Sequence, residues 1–163
     1  MAEFDKILVA NRGEIAIRIF RAATELGKRT VAIYSEQDTL SLHRAKADEA
    51  YQVGAGLEPV PAYLDIEGII DIARRCNADA IHPGYGLLSE NPTFVEACDA
   101  AGVTFIGPTA ETMRRLGDKA AGRRAAIEAG VPVVPATGVL PDDAAEMGRL
   151  ADSIGYPLML KAS

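Results

Sequence analysis

His82-Pro83-Gly84-Tyr85-Gly86-Leu87-Leu88-Ser89-Glu90-Asn91 is the stretch from which the fold can be read. It follows a short apolar run, Asp79-Ala80-Ile81, that reads as a buried strand. It precedes an apolar-periodic stretch, Pro92 to Ala101, that reads as a helix. A turn with two glycines, a proline and a tyrosine therefore sits at the carboxyl end of a strand. In open α/β sheets that edge is where ligands bind, and glycine lets backbone approach a ligand with no Cβ in the way. The alternative is a tight connection that merely needs unusual backbone angles. Ser89 and Glu90 are candidates to cap the helix that follows.

Outward from this loop, strand and helix alternate. Lys6 to Ala10 reads as a strand, and Asn11-Arg12-Gly13-Glu14 as a turn. Ile15, Ile19, Ala22, Ala23 and Leu26 recur at helical spacing, closed by Gly27. Thr30 to Tyr34 is a β-branched strand, and Glu36-Gln37-Asp38 a polar turn. Leu40 to Ala47 reads as a short helix, Glu49 to Val53 as a third strand and Gly54 to Pro61 as a loop. Ile66, Ile69, Ile70 and Ala73 mark another helix, and Val103 to Ile106 a last strand. This alternation predicts an α/β fold, a doubly wound parallel sheet with right-handed crossovers. After Gly107-Pro108 the pattern changes. Glu111 to Leu116 and Lys119 to Ala129 read as consecutive helices, and Val131 to Pro135 as an extended segment. Asp142 or Asp143 starts a helix ending near Gly155, and Pro157 to Ser163 reads as a strand. The boundary falls near Gly117, giving domains 1–116 and 117–163. The second span is too short to close a core of its own, so the chain is expected to stop inside that domain.

Composition narrows the function classes. The 163 residues are 48% hydrophobic and 25% charged, as in ordinary globular proteins. Seventeen Lys and Arg against 23 Asp and Glu give a net charge of −6, with no basic stripe, which argues against nucleic acid as a partner. Cys76 and Cys98 form no C-x-x-C pair and read as buried thiols in a reducing compartment. No apolar run is long enough for a membrane span, and the start MAEFDK lacks a signal-peptide pattern. A cytoplasmic protein is expected.

Two lysines occupy unusual places. Lys119, in Leu116-Gly117-Asp118-Lys119, stands at a helix start with Asp118 as its cap. A cation there opposes the helix dipole at a cost of ~0.3–1 kcal/mol, which a bound phosphate would reverse. Otherwise it is a solvated surface lysine. Lys161 shares a strand face with Met159, opposite Leu158 and Leu160. Desolvating an ammonium is expensive, so this lysine either snorkels from an edge or faces an anionic ligand. The Asn11 to Glu14 turn, followed by Glu36, superficially resembles a dinucleotide-binding unit. Its single glycine does not meet the G-x-G-x-x-G requirement, so the turn reads as scaffold. Arg18, Arg21 and Glu25 on the first helix are either a solvated face or a partner surface. His43 reads as a surface residue on a short helix, and His82 as a structural histidine bonding loop backbone, with a catalytic histidine as the alternative. Neither has partners at metal-ligand spacing.

Together these stretches resemble one family, the biotin carboxylase component of biotin-dependent carboxylases. The carriers are Lys6 to Ala16, Ala80 to Asn91, Phe105 to Pro108, Leu116 to Lys119, Ala129 to Pro132, and Gly155 to Pro157 through Lys161 to Ser163. Val134 to Thr137 with Leu140 to Asp143 looks most like the pyruvate carboxylase branch, with the acyl-CoA carboxylase branch second. The resemblance implies a pre-ATP-grasp α/β domain followed by an ATP-grasp fold. It implies bicarbonate activation by Mg-ATP and carboxylation of biotin N1′ on a separate carrier domain. Lys119 and Lys161 match lysines that contact ATP phosphates. Tyr85 and Gly86 match residues that hold the biotin ureido ring, the glycine through its backbone N–H. Glu90 carries no role over. The family's phosphate-covering glycine loop, magnesium-binding glutamates and bicarbonate-binding groups match nothing in these residues. The 163-residue chain is therefore expected not to complete the reaction alone. The implied partners are bicarbonate, the biotinylated carrier domain and the rest of the carboxylase, with a homo-oligomer through the first helix. Competing readings are a non-catalytic α/β interaction module and a nicotinamide-dependent oxidoreductase.

Overall fold

A computed structural model describes residues 4–117 and 119–160, apart from the side chains of Lys119 and Ala120. The chain divides into two compact units, Met1–Arg114 and Arg115–Ser163.

In the first unit, β1 (Lys6–Val9), β2 (Arg29–Tyr34), β3 (Glu49–Gln52), β4 (Ala80–His82) and β5 (Thr104–Phe105) form one sheet in the order β3-β2-β1-β4-β5. Every pairing is parallel. Interior strands of such a sheet are covered on both faces, which is why β1 and β2 are almost continuously apolar. The helices are α1 (Gly13–Glu25), α2 (Pro59–Tyr63), α3 (Ile66–Arg75) and α4 (Pro92–Ala101). Strand alternation sends Val9 and Ala32 to one face, where they meet Ala16, Ile19 and Phe20 of α1. Leu8, Val31, Ile33 and Ile81 point to the other, against Tyr63 of α2, Ile69, Ile70 and Ile72 of α3 and Phe94 and Cys98 of α4. This is the expected doubly wound α/β sheet. Cys76 and Cys98 are buried free thiols, and burial raises both pKa values.

Several local expectations change. Leu40 to Ala47 is not an α-helix; a 3₁₀ segment spans Leu42–Lys46, and Leu40 is 96% exposed. His43 within it is buried rather than superficial, because its Nε2 pairs with the Ile33 carbonyl at 3.1 Å. The end of the expected Gly54 to Pro61 loop is helical. Pro59 opens α2, where proline's missing N–H costs nothing.

α5 (Ala110–Gly117) packs Met113 with Val95 of α4. The second unit continues with α6 (Lys119–Glu128) and α7 (Ala144–Ile154). Asp143 caps α7 by accepting from the Glu146 N–H at 2.7 Å. No described residue beyond Met113 is buried. Pro157 to Leu160 form no strand, since the described residues of this unit offer no second strand to pair with. Lys161 to Ser163, like Asp118, lie outside the described residues.

Candidate functional site

The order β3-β2-β1-β4-β5 reverses between β1 and β4, so the chain leaves their carboxyl ends in opposite directions. Two turns meet at this switch point. Asn11 to Glu14 follows β1, and His82 to Asn91 follows β4. The Ala10 N–H donates to the His82 carbonyl at 2.9 Å, so the ladder continues to the start of both turns.

Asn11 is the junction. It is 3% exposed, and its Nδ2 donates to the carbonyls of Pro83 at 2.7 Å and Tyr85 at 3.0 Å. Its Oδ1 accepts from the Arg12 N–H at 2.9 Å. Both amide protons and the carbonyl are therefore engaged, as a buried amide requires. Gly84 lies at φ +68°, and a Cβ there would come within 2.6 Å of Asn11 Nδ2. Glycine at 84 and asparagine at 11 fit each other. Gly86 lies at φ +66°, yet a Cβ there would meet no protein atom within 4 Å. That glycine faces open space.

The rest of the loop is anchored from below. Leu88 is buried in the main core, and the Ser89 and Asn91 N–H groups turn back onto the Gly86 and Leu88 carbonyls. Neither Ser89 nor Glu90 caps α4. Asn91 does, accepting from the Thr93 and Phe94 N–H groups at 2.9 and 3.3 Å, because it directly precedes Pro92 at the first helical position. His82 Nδ1 accepts from the Gly84 N–H at 3.0 Å, the backbone role expected of it. Burial lowers its pKa, which keeps the ring neutral and Nδ1 free to accept.

Tyr85 stands at the crest, 64% exposed. Its hydroxyl donates to Glu14 Oε1 at 3.1 Å, which raises the phenol's pKa, while the charge of Arg18 opposes that rise. Tyr85 and Gly86 are both open to solvent. Lys119 is the first residue of α6, and Lys161 lies outside the described residues.

Beside the loop, Arg12 forms a two-pronged ion pair with Asp38, both distances 2.7 Å. The Tyr63 and Ser41 hydroxyls donate to the same carboxylate at 2.7 and 2.6 Å. Arg12 holds the Asp38 carboxyl well below the ordinary carboxylate range, and burial pushes the Tyr63 phenol up to about 12. Arg12 is thus committed to structure. Arg18, Arg21 and Glu25 lie exposed along α1. Among the described residues no group of three or more His, Cys, Asp or Glu is placed to hold a metal ion, and no helix is long and apolar enough to cross a membrane.

Sequence reasoning passed over Asn11 and Glu14 as ligand-loop supports. Their partners lie 72 and 71 positions away. The usable signal was a lone amide directly after a buried strand, where an unpaired polar group is costly.

Residues 3–113 match the family described as biotin carboxylase, N-terminal domain. Pyruvate carboxylase 1 of Caenorhabditis elegans is 60% identical over 161 residues, 99% of this chain and 14% of that protein. A biotin carboxylase of Halalkalibacterium halodurans is 53% identical over 98% of this chain and 35% of its own length. A structure of Rhizobium etli pyruvate carboxylase with the allosteric activator acetyl coenzyme A superposes with a TM-score of 0.91 at 62% identity, covering 99% of this chain and 16% of that one. The chain thus spans a small share of the relatives it matches. With 111 consecutive residues matched and the parallel sheet in place, it belongs to the biotin carboxylase N-terminal domain family.

Proposed function

We propose that this chain supplies the biotin-facing α/β portion of an ATP- and bicarbonate-dependent biotin carboxylase of the pyruvate carboxylase branch. The observation that carries the reading is the loop from His82 to Asn91, clamped by Asn11 at the reversal of strand order, with Tyr85 and Gly86 open above it. The identity to pyruvate carboxylases supports the branch. When bound, Mg-ATP supplies the phosphoryl group that activates bicarbonate, and biotin the ureido nitrogen that is carboxylated. This chain's part is to bind and orient. The Tyr85 ring gives one apolar wall, and the Gly86 N–H one donor on a side with no Cβ to block approach. Residues 1–116 form the first domain and 117–163 the start of the second, where Lys119 and Lys161 are assigned to ATP phosphates. The two buried thiols suit a reducing compartment. Bicarbonate, a biotinylated carrier domain and the remaining carboxylase domains are its partners, with a second copy at α1.

The test is bicarbonate-dependent ATP cleavage by the complete protein with free biotin as acceptor. Tyr85→Ala is expected to raise KM for biotin about 10-fold, equivalent to ~1.4 kcal/mol, with KM for ATP unchanged. Lys161→Ala is expected to do the reverse. Bicarbonate-dependent ATP cleavage by the 163-residue chain alone, abolished by Lys161→Ala, would overturn the division of labour.

A further inference from the structure

The function proposed above uses the Asn11 to Glu14 turn only for the clamp at Asn11, yet two of its side chains, Asn11 and Glu14, end on the loop assigned to biotin. Asn11 is buried and spends both amide protons on the carbonyls of Pro83 and Tyr85. Glu14, the second residue of α1, accepts a hydrogen bond from the Tyr85 hydroxyl. Between them Arg12 is locked to Asp38, which ties the turn to a fixed point. An exposed tyrosine has little packing to choose its rotamer, so a hydrogen bond at the hydroxyl decides where the ring stands. A loop with φ +68° at Gly84, +66° at Gly86 and +48° at Leu87 likewise needs outside contacts to hold one path.

We infer that Asn11 and Glu14 are positioning residues for the biotin loop. Asn11 fixes the backbone from Pro83 to Tyr85, and Glu14 fixes the orientation of the Tyr85 ring. The inference rests on the reading of Tyr85 and Gly86 as a biotin wall. It assigns a role to a turn that otherwise looks like scaffold. Arg18 is the other charged group that acts on the phenol, and it is left in place in every variant of the test.

The experiment measures KM for free biotin, KM for ATP and thermal stability in the complete protein. Glu14→Ala is expected to raise KM for biotin about 3- to 10-fold, the range of one hydrogen bond, with KM for ATP and melting temperature unchanged. Glu14→Gln keeps an acceptor oxygen and is expected to restore most of the loss. Tyr85→Phe removes the same bond from the other side, so combining it with Glu14→Ala adds nothing further. Asn11→Asp replaces the amide donor with a carboxylate oxygen set against two carbonyls and is expected to raise KM for biotin more than Glu14→Ala does. If it fails to fold, the Glu14 and Tyr85 variants decide. In a chain with [¹³C]tyrosine, Glu14→Ala is expected to lower the pH at which the Tyr85 phenol titrates. A wild-type KM for biotin in Glu14→Ala, while Tyr85→Ala raises it, overturns the inference and leaves the biotin wall standing. A wild-type value in Tyr85→Ala as well overturns both.

Discussion

α3 and α7 are built alike and end up in different surroundings. They span 10 and 11 residues, and each begins with an aspartate that accepts from the N–H three positions on, Asp65 from Gly68 and Asp143 from Glu146. Each carries apolar side chains at helical spacing. In α3, Ile69, Ile70, Ile72 and Ala73 are buried against the sheet. In α7, Met147, Leu150, Ala151 and Ile154 form the same kind of stripe, and all four are only half-buried. Helices this short are marginal in water by themselves, so covering the stripe supplies most of their stability. Periodicity and caps specify that a helix forms, whereas the sheet supplies the partner that buries its apolar stripe. The candidate ligand loop belongs to the unit built on that sheet.

The comparison can be broken most forcefully by truncating one apolar side chain in each helix. Ile69→Ala is expected to cost about 4 kcal/mol, because the site is fully enclosed and leaves a cavity. Leu150→Ala is expected to cost about 1 kcal/mol or less. Urea denaturation followed by circular dichroism measures both, and equal losses would contradict the contrast.

A second test uses the buried carboxylate of the sheet unit. Asp38→Asn is expected to cost about 2 kcal/mol at neutral pH, moderated because Arg12 is half exposed. The folded-state pKa of Asp38 lies below its ordinary 3.8. Its contribution is therefore present above about pH 4 and lost as pH falls below it. The gap between native protein and Asp38→Asn is expected to narrow from pH 7 to pH 3. A constant gap would mean that the ion pair is not what the variant removes.

The smallest effect concerns the caps. Asp65→Ala is expected to lower global stability by about 1 kcal/mol. Asp143→Ala is expected to reduce helix content with little change in the main unfolding midpoint. Helical circular dichroism measured alongside the denaturation midpoint separates the two outcomes.

The alternation from Lys6 to Ile106 was enough to name a doubly wound sheet, because each element announces itself by its own spacing. Strand order was not legible, and it is strand order that puts the Asn11 turn beside the Tyr85 loop. His43 looked superficial because its polar ring sits in a polar stretch, and the buried carbonyl that accepts it belongs to Ile33 on another element. Ser89 and Glu90 looked like caps because their side chains suit the role, yet Pro92 fixes the helix start and gives the role to Asn91. The loop that carries Tyr85 and Gly86 was legible as a candidate site from its place at a strand end, while those two residues were singled out by the family resemblance. Their supports at Asn11 and Glu14 were not, since an amide after a buried strand signals a need for partners but nothing local identifies partners 70 positions or more away.

The central claim, that the loop from His82 to Asn91 faces biotin, is tested most directly at Gly86. A Cβ there meets no protein atom within 4 Å, so Gly86→Ala places one methyl group where only a ligand would notice it. The positive φ adds roughly 1 kcal/mol of backbone strain, too little to unfold the unit. In the complete protein, KM for free biotin is expected to rise about 10-fold while KM for ATP stays at its native value. An unchanged KM for biotin would contradict the account.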